Sequence, residues 1–190
     1  MTKKEKINSF YPSNQLEWRL WLENNHISKD SVWVLFYKKH TNKPTISWSD
    51  AVDQALCFGW IDSTKKPIDS EKYIQYFCKR KPKSNWSKVN KDKIETLTKQ
   101  GLMKEAGMES VKTAKQNGSW TILDTVEALI IPQDLEIALS KHKNAKDFFM
   151  SLSKSLRKIL LYKIISAKKP ETRQKRIDEI ALQMENHQKP

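Results

Sequence analysis

Eight consecutive residues, Ser31 to Lys38 (SVWVLFYK), constrain the fold of this chain more than any other stretch. They are β-branched and aromatic, and alternation places Val32, Val34 and Phe36 on one face and Trp33, Leu35 and Tyr37 on the other. A strand apolar on both faces belongs in the interior of a sheet. Tyr73 to Cys78 (YIQYFC) reads as a second strand, with Ile61 and Ile68 on short strand pieces ahead of it. Pro82 stops it, because proline cannot donate to a ladder.

Helices surround these strands in sequence. Asn14 and Glu17 have capping-box spacing and open a helix over Gln15 to Asn25. Ser47 opens a second, with Val52, Ala55 and Leu56 as its core stripe and Gly59 as its terminator. Ser84 or Asn85 is expected to cap a third, carrying Val89, Ile94 and Leu97 and closed by Gly101. A fourth runs from about 104 to 117 and ends at Gly118. Residues 10–120 thus read as an α+β domain holding all seven tryptophans. From about Ile122 no Trp or Gly follows, and Pro132, Asn144, Ser153 and Pro170 each open a helical pattern. The expectation is an α+β fold, a small mixed sheet packed with helices, followed over 121–190 by a C-terminal helical bundle or cap. Residues 1–9 are expected to be disordered.

Charge is the second constraint. The chain carries a net +13 over 190 residues, concentrated in two segments. Residues 79–93 hold seven Lys or Arg against Asp92, and residues 154–176 hold nine against Glu171. These segments together exceed the whole chain's charge, so the remainder is near neutral. An electrostatic footprint for phosphates has this form, and so does a solvated lysine-rich surface. No apolar run approaches the roughly 20 residues of a membrane helix, so no membrane span is expected. The charged start with no apolar secretion segment predicts a cytoplasmic protein. Cys57 and Cys78 fit a reducing compartment as packed thiols and are too few for a zinc site.

Ala55-Leu56-Cys57-Phe58-Gly59-Trp60-Ile61-Asp62 is followed by Tyr76-Phe77, Arg80, Pro82 and Ser84-Asn85-Trp86-Ser87-Lys88-Val89-Asn90. This arrangement resembles the YdeI/OmpD-associated family, whose members are often labelled bacteriocin-protection proteins. Ala167-Lys168-Lys169-Pro170-Glu171-Thr172-Arg173, with Arg176-Ile177, is similar to that family's terminal helical motif, so the resemblance covers nearly the whole chain. It implies no particular reaction or ligand. The family pattern has two arginines before the proline, where this chain has Lys79-Arg80-Lys81. Arg80 keeps a bidentate contact available, and its neighbours keep charge alone.

Within these motifs, Trp60 and Trp86 are the rings best placed at junctions to face a cleft, though core packing is the commoner fate of a Trp. Asp62 can orient Arg80, bind a ligand donor, or cap a turn over Asp62-Ser63-Thr64. Ser84, Asn85 and Ser87 would sit at a helix N-terminus beside Arg80, Lys81 and Lys88, a pocket for phosphate or carboxylate. Asn90, four residues after Trp86, would share its helix face. Lys168, Lys169, Arg173 and Arg176 form a basic surface suited to an acidic partner. Catalytic motifs are scarce: the four histidines are isolated, and neither a phosphate-binding glycine loop nor a nucleophile elbow is present. No metal or cofactor is expected. The reading is a binding protein for an anionic ligand, whether nucleic acid, nucleotide or another phosphate. The alternatives are a stress- or bacteriocin-protection protein docking an acidic partner, and a small-molecule enzyme.

Overall fold

The computed structural model describes residues 8–189. Its chain divides into two compact units, Met1–Ser84 with Val89–Asn117 and Asn85–Lys88 with Gly118–Pro190. The expected boundary near 120 therefore has an exception. Asn85–Lys88 belongs with the later unit, and so do Trp86 and Trp120, leaving five of the seven tryptophans in the first.

The first unit is α+β. Its four-stranded mixed sheet has the order β1-β2-β4-β3, built from Ser9–Phe10, Ser31–Tyr37, Trp60–Pro67 and Lys72–Lys79 as β1 to β4. β2 lies between β1 and β4, the interior position that its two apolar faces require. β1 pairs with it in parallel and β4 antiparallel. Ser9 is thus a strand residue where disorder was expected, while residues 1–7 lie outside the described residues. β3 is one continuous eight-residue strand rather than short pieces, and it contains a bulge between Asp62 and Lys65.

One face of this sheet carries Val34, Phe36, Gln75 and Phe77, all buried. Helix α1 (Gln15–Asn25) packs there through Trp18, whose ring meets Phe77 edge-on at 5.3 Å. Asn14 caps α1 as its spacing predicts, accepting from the Glu17 N–H at 3.0 Å. Helix α2 (Trp48–Cys57) starts at the Ser47 cap and buries Ala51, Val52, Ala55 and Leu56. The Trp18 indole N–H donates to the Ala51 carbonyl at 3.0 Å, which ties α1 to α2 and satisfies a buried donor.

Helices α3 (Lys88–Lys99) and α4 (Glu105–Gln116) complete the unit. Leu102 N–H bonds the Leu97 carbonyl past Gly101 at φ +67°, a left-handed stop for α3. In α4, a Cβ at Gly107 would lie 2.3 Å from the Cys57 carbonyl oxygen. Only a glycine lets the two helix backbones approach so closely.

The second unit is helical: α5 (Asp124–Glu127), α6 (Gln133–Ser140), α7 (Ala145–Ser151), α8 (Lys154–Ile165) and α9 (Pro170–Glu185). Its core gathers Leu135, Leu139, Phe149, Leu160, Ile164, Ile177, Ile180 and Met184. Pro132, Asn144, Ser153 and Pro170 all stand at helix starts as predicted. No helix among the described residues is long and apolar enough to cross a membrane.

Candidate functional site

The geometry of the opening motif begins at the end of α2. Phe58 closes the helix and Gly59 follows at φ +72°, where a Cβ would also lie 2.8 Å from the Ala106 carbonyl oxygen. The Gly59 carbonyl accepts from the Arg80 backbone N–H at 2.9 Å, and the Lys79 N–H donates to the Asp30 carbonyl at 2.9 Å. The turn after α2, the exit of β4 and the loop after α1 are thereby fixed to one another.

Between these segments and α4 opens a cleft of ≈ 400 Å³. Arg80, Lys79 and Pro82 line one wall, and Ala106, Glu109, Ser110 and Thr113 of α4 the other. His26, Ile27, Phe58, Gly59 and Trp60 complete it. A volume of this order suits a small molecule. Burial pushes the Arg80 guanidinium down to about 10, and the charge of Asp62 opposes that shift. Arg80 is therefore a half-buried cation at neutral pH, in surroundings where its attraction for an anion is less screened than at the surface.

The other cleft groups have definite roles. His26 places Nδ1 at 2.8 Å from the Leu22 carbonyl. A carbonyl only accepts, so Nδ1 carries the proton and Nε2 has the lone pair in the neutral ring. Lys79 donates to the Ile27 carbonyl at 2.8 Å and to Asp30 at 3.0 Å, so its ammonium serves the rim. Ser110 and Thr113, three apart on α4, present hydroxyl donors along one helix face. Glu109 is the carboxylate on the wall, and Lys112 stands 3.4 Å from it.

Trp60 and Arg80 thus line a common cleft. Trp60 is fully buried, meets Trp21 edge-on at 5.8 Å, and bonds the His26 carbonyl through its indole N–H at 3.4 Å. It is the wall's support, with no open ring face for stacking. Asp62 departs from the turn-capping expectation because residues 60–67 are strand. Its carboxylate accepts from the Trp48 indole N–H at 2.9 Å and from the Gln75 amide at 3.0 Å. The same Gln75 amide donates to the Ser63 carbonyl at 2.9 Å, serving the backbone that the bulge displaces.

The expected helix start is displaced. α3 begins at Lys88, so Ser84 and Asn85 lie ahead of it rather than capping it. Ser84 instead closes a turn, giving both its N–H (3.0 Å) and its hydroxyl (2.8 Å) to the Lys81 carbonyl. Lys81 is exposed. Trp86 is buried and packs at 5.0 Å against Trp120. It precedes α3, so helical spacing does not link it to Asn90. Asn85, Trp86 and Lys88 belong to the second unit, whereas Asn90 belongs to the first.

The C-terminal cations are largely committed within their own unit. Arg173 grips Asp134 with two bonds, 2.7 and 3.0 Å, holding that carboxyl below the usual carboxylate range. Arg176 donates to the Lys163 carbonyl and to the Ser166 hydroxyl, closing the end of α8. Lys158 pairs with Glu127, and Lys163 with Glu179. Lys168 and Lys169 remain exposed. The expected basic docking surface thus consists, at its two arginines, of intramolecular bonds.

Sequence reasoning missed His26, Ser110 and Thr113 as cleft residues. The signal available was the run Ala106, Gly107, Ser110 and Ala114, a small-residue face on α4 that marks close packing beside polar groups. Both cysteines are unpaired, and burial pushes both thiols up, as suits packed side chains.

Comparison with known families adds two matches. A model described as a domain of unknown function (DUF8412) matches residues 10–110, over half of the chain. One described as Bacteriocin-protection, YdeI or OmpD-Associated matches residues 128–187. No curated protein and no solved structure matches the chain.

Proposed function

We propose that this chain, which belongs to the DUF8412 family and carries a YdeI/OmpD-associated domain at its C-terminal side, is a binding protein for a small anionic ligand held in the Arg80 cleft. The ligand bears a phosphate or carboxylate. The observation that carries this reading is a half-buried guanidinium, still cationic at neutral pH, in the wall of a ≈ 400 Å³ cleft that also holds two hydroxyls and an imidazole.

Each group has a task in such a complex. Arg80 supplies a planar fork of donors that matches two oxygens of a phosphate or carboxylate. Ser110 and Thr113 donate to the remaining oxygens. The His26 Nε2 lone pair accepts from a ligand hydroxyl or amine. Phe58 and Ile27 give the apolar part of the ligand a surface. Glu109 repels negative charge at its end of the cleft, which directs the anionic group of the ligand to the Arg80 end.

The test is calorimetric titration with inorganic pyrophosphate and with a nucleoside monophosphate. Binding should weaken as salt rises, and Arg80→Met should lower the affinity at least tenfold with an unchanged circular dichroism spectrum. Arg80→Lys should recover part of it, keeping charge without the fork. Equal affinity in wild type and Arg80→Met rejects the cleft.

A further inference from the structure

The second face of the sheet carries a feature independent of the cleft. Pairing puts Trp33 opposite Tyr76, Leu35 opposite Ile74 and Tyr37 opposite Lys72. Lys66 on β3 pairs with Ile74 and joins the same face. The Trp33 and Tyr76 rings meet at 5.0 Å and 61°, and both keep part of their surface open to solvent. A sheet face turned to water ordinarily carries polar side chains between its neighbours. This one carries indole and phenol rings on adjacent strands, and the Lys66 ammonium stands 4.9 Å from the Trp33 ring centroid.

We infer that this face binds single-stranded nucleic acid, with bases stacking on Trp33 and Tyr76 and phosphates meeting Lys66 and Lys72. Charge selects the occupant. The side chains that the register places on this face include two lysines and no carboxylate, while Asp69 and Glu71 lie in the adjoining hairpin loop beside Lys72 and Lys43. A second copy of the chain would set lysines against lysines. A polyanion with flat apolar bases relieves that repulsion and matches the rings. A duplex hides its bases within its own stack, so only a single strand engages both features. On binding, the Lys66 ammonium exchanges its contact with the Trp33 ring for a phosphate, and the ring face becomes available to a base.

The experiment is fluorescence anisotropy of the full chain with a labelled oligothymidine of about ten nucleotides and with a hairpin duplex of equal charge, each at two salt concentrations. The single strand should bind more tightly than the duplex. Trp33→Ala or Tyr76→Ala should weaken it about tenfold. Lys66→Glu changes an exposed side chain and leaves the fold intact; it should lower affinity and reduce the salt slope by about 0.7. Equal binding of strand and duplex overturns the inference, as does absence of binding at low salt. Strand binding lost in Arg80→Met yet unchanged in Trp33→Ala and Lys66→Glu also overturns it, and assigns the strand to the cleft. Self-association abolished by Trp33→Ala, without oligonucleotide binding, assigns the face to a second copy.

Discussion

The two compact units begin from similar endowments of positive charge and use them differently. In the helical unit, Arg173 is bound to Asp134, Arg176 caps the end of α8, and Lys158 and Lys163 have acidic partners. Those acids, Glu127, Asp134 and Glu179, all lie outside the segment 154–176 that looked so basic in sequence. In the α+β unit, Arg80 enters a cleft wall and Lys66 lies over an aromatic ring on an open sheet face. Density of charge along a chain is therefore a poor guide to density of charge in space. A cation matters for ligand binding according to where the fold sets it, in a cleft wall, beside a ring or along a helix end, and not according to its neighbours in sequence.

The sharpest way to break this contrast is to remove the architecture that makes the cleft. Gly107→Ala puts a methyl group 2.3 Å from the Cys57 carbonyl oxygen, a distance that backbone cannot accept. α4 must move off α2, so urea denaturation should show a loss of about 1–3 kcal/mol or more. Anion binding at Arg80 should fall with it. A variant of wild-type stability would mean that the helix contact does not hold the wall.

Gln75→Leu should have a somewhat smaller effect. It strips a donor from the Asp62 carboxylate and leaves the Ser63 carbonyl at the bulge without that amide. The expected cost is about 1–3 kcal/mol, measured by thermal or urea unfolding. Gln75→Glu should be at least as damaging, because it sets a second carboxyl beside Asp62.

The smallest effect should come from the helical unit. Arg173→Ala removes a half-exposed ion pair, for which solvent screening leaves about 0.5–1 kcal/mol. Its signature is in pH. Because Arg173 holds the folded-state pKa of Asp134 below its ordinary value, the pair's contribution is complete above about pH 4 and is lost as pH falls through the folded value. Wild type should therefore lose stability in acid more steeply than Arg173→Ala, with the two curves converging at low pH. Parallel curves would remove the ion pair from the account.

Much of the fold was legible because local chemistry and tertiary structure agreed. Asn14 and Ser47 cap the helices that their spacing announced, and the doubly apolar β2 is interior. Where they disagreed, a partner remote in sequence decided. Ser9–Phe10 is too short to carry a pattern and is a strand only because β2 offers an edge. β3 is polar for most of its length and stays extended through β4, with Gln75 securing its bulge. Ser84 looked like a helix cap, but the turn at Pro82 gives it the Lys81 carbonyl and delays α3 to Lys88.

The site was legible in part for the same reason. Arg80 stands out in any reading of the motif as the one arginine among Lys79, Lys81 and Lys83. The roles of Trp60 and Asp62 could not be assigned from order alone. Burial of the first depends on Trp21, and the bonds of the second depend on Trp48 and Gln75. His26 follows α1 whereas Ser110 and Thr113 belong to α4, about eighty positions later in sequence, and the close approaches at Gly59 and Gly107 bring α4 to the cleft.

Anion binding is proposed for the cleft of the α+β unit rather than for the C-terminal cluster. The most direct measurement is pyrophosphate affinity as a function of salt for Arg80→Met beside the double variant Lys168→Met, Lys169→Met, whose two sites are exposed. The first should lose at least tenfold, while the second should match wild type in both affinity and salt slope. Loss in the lysine variant with Arg80→Met unchanged would contradict the proposal.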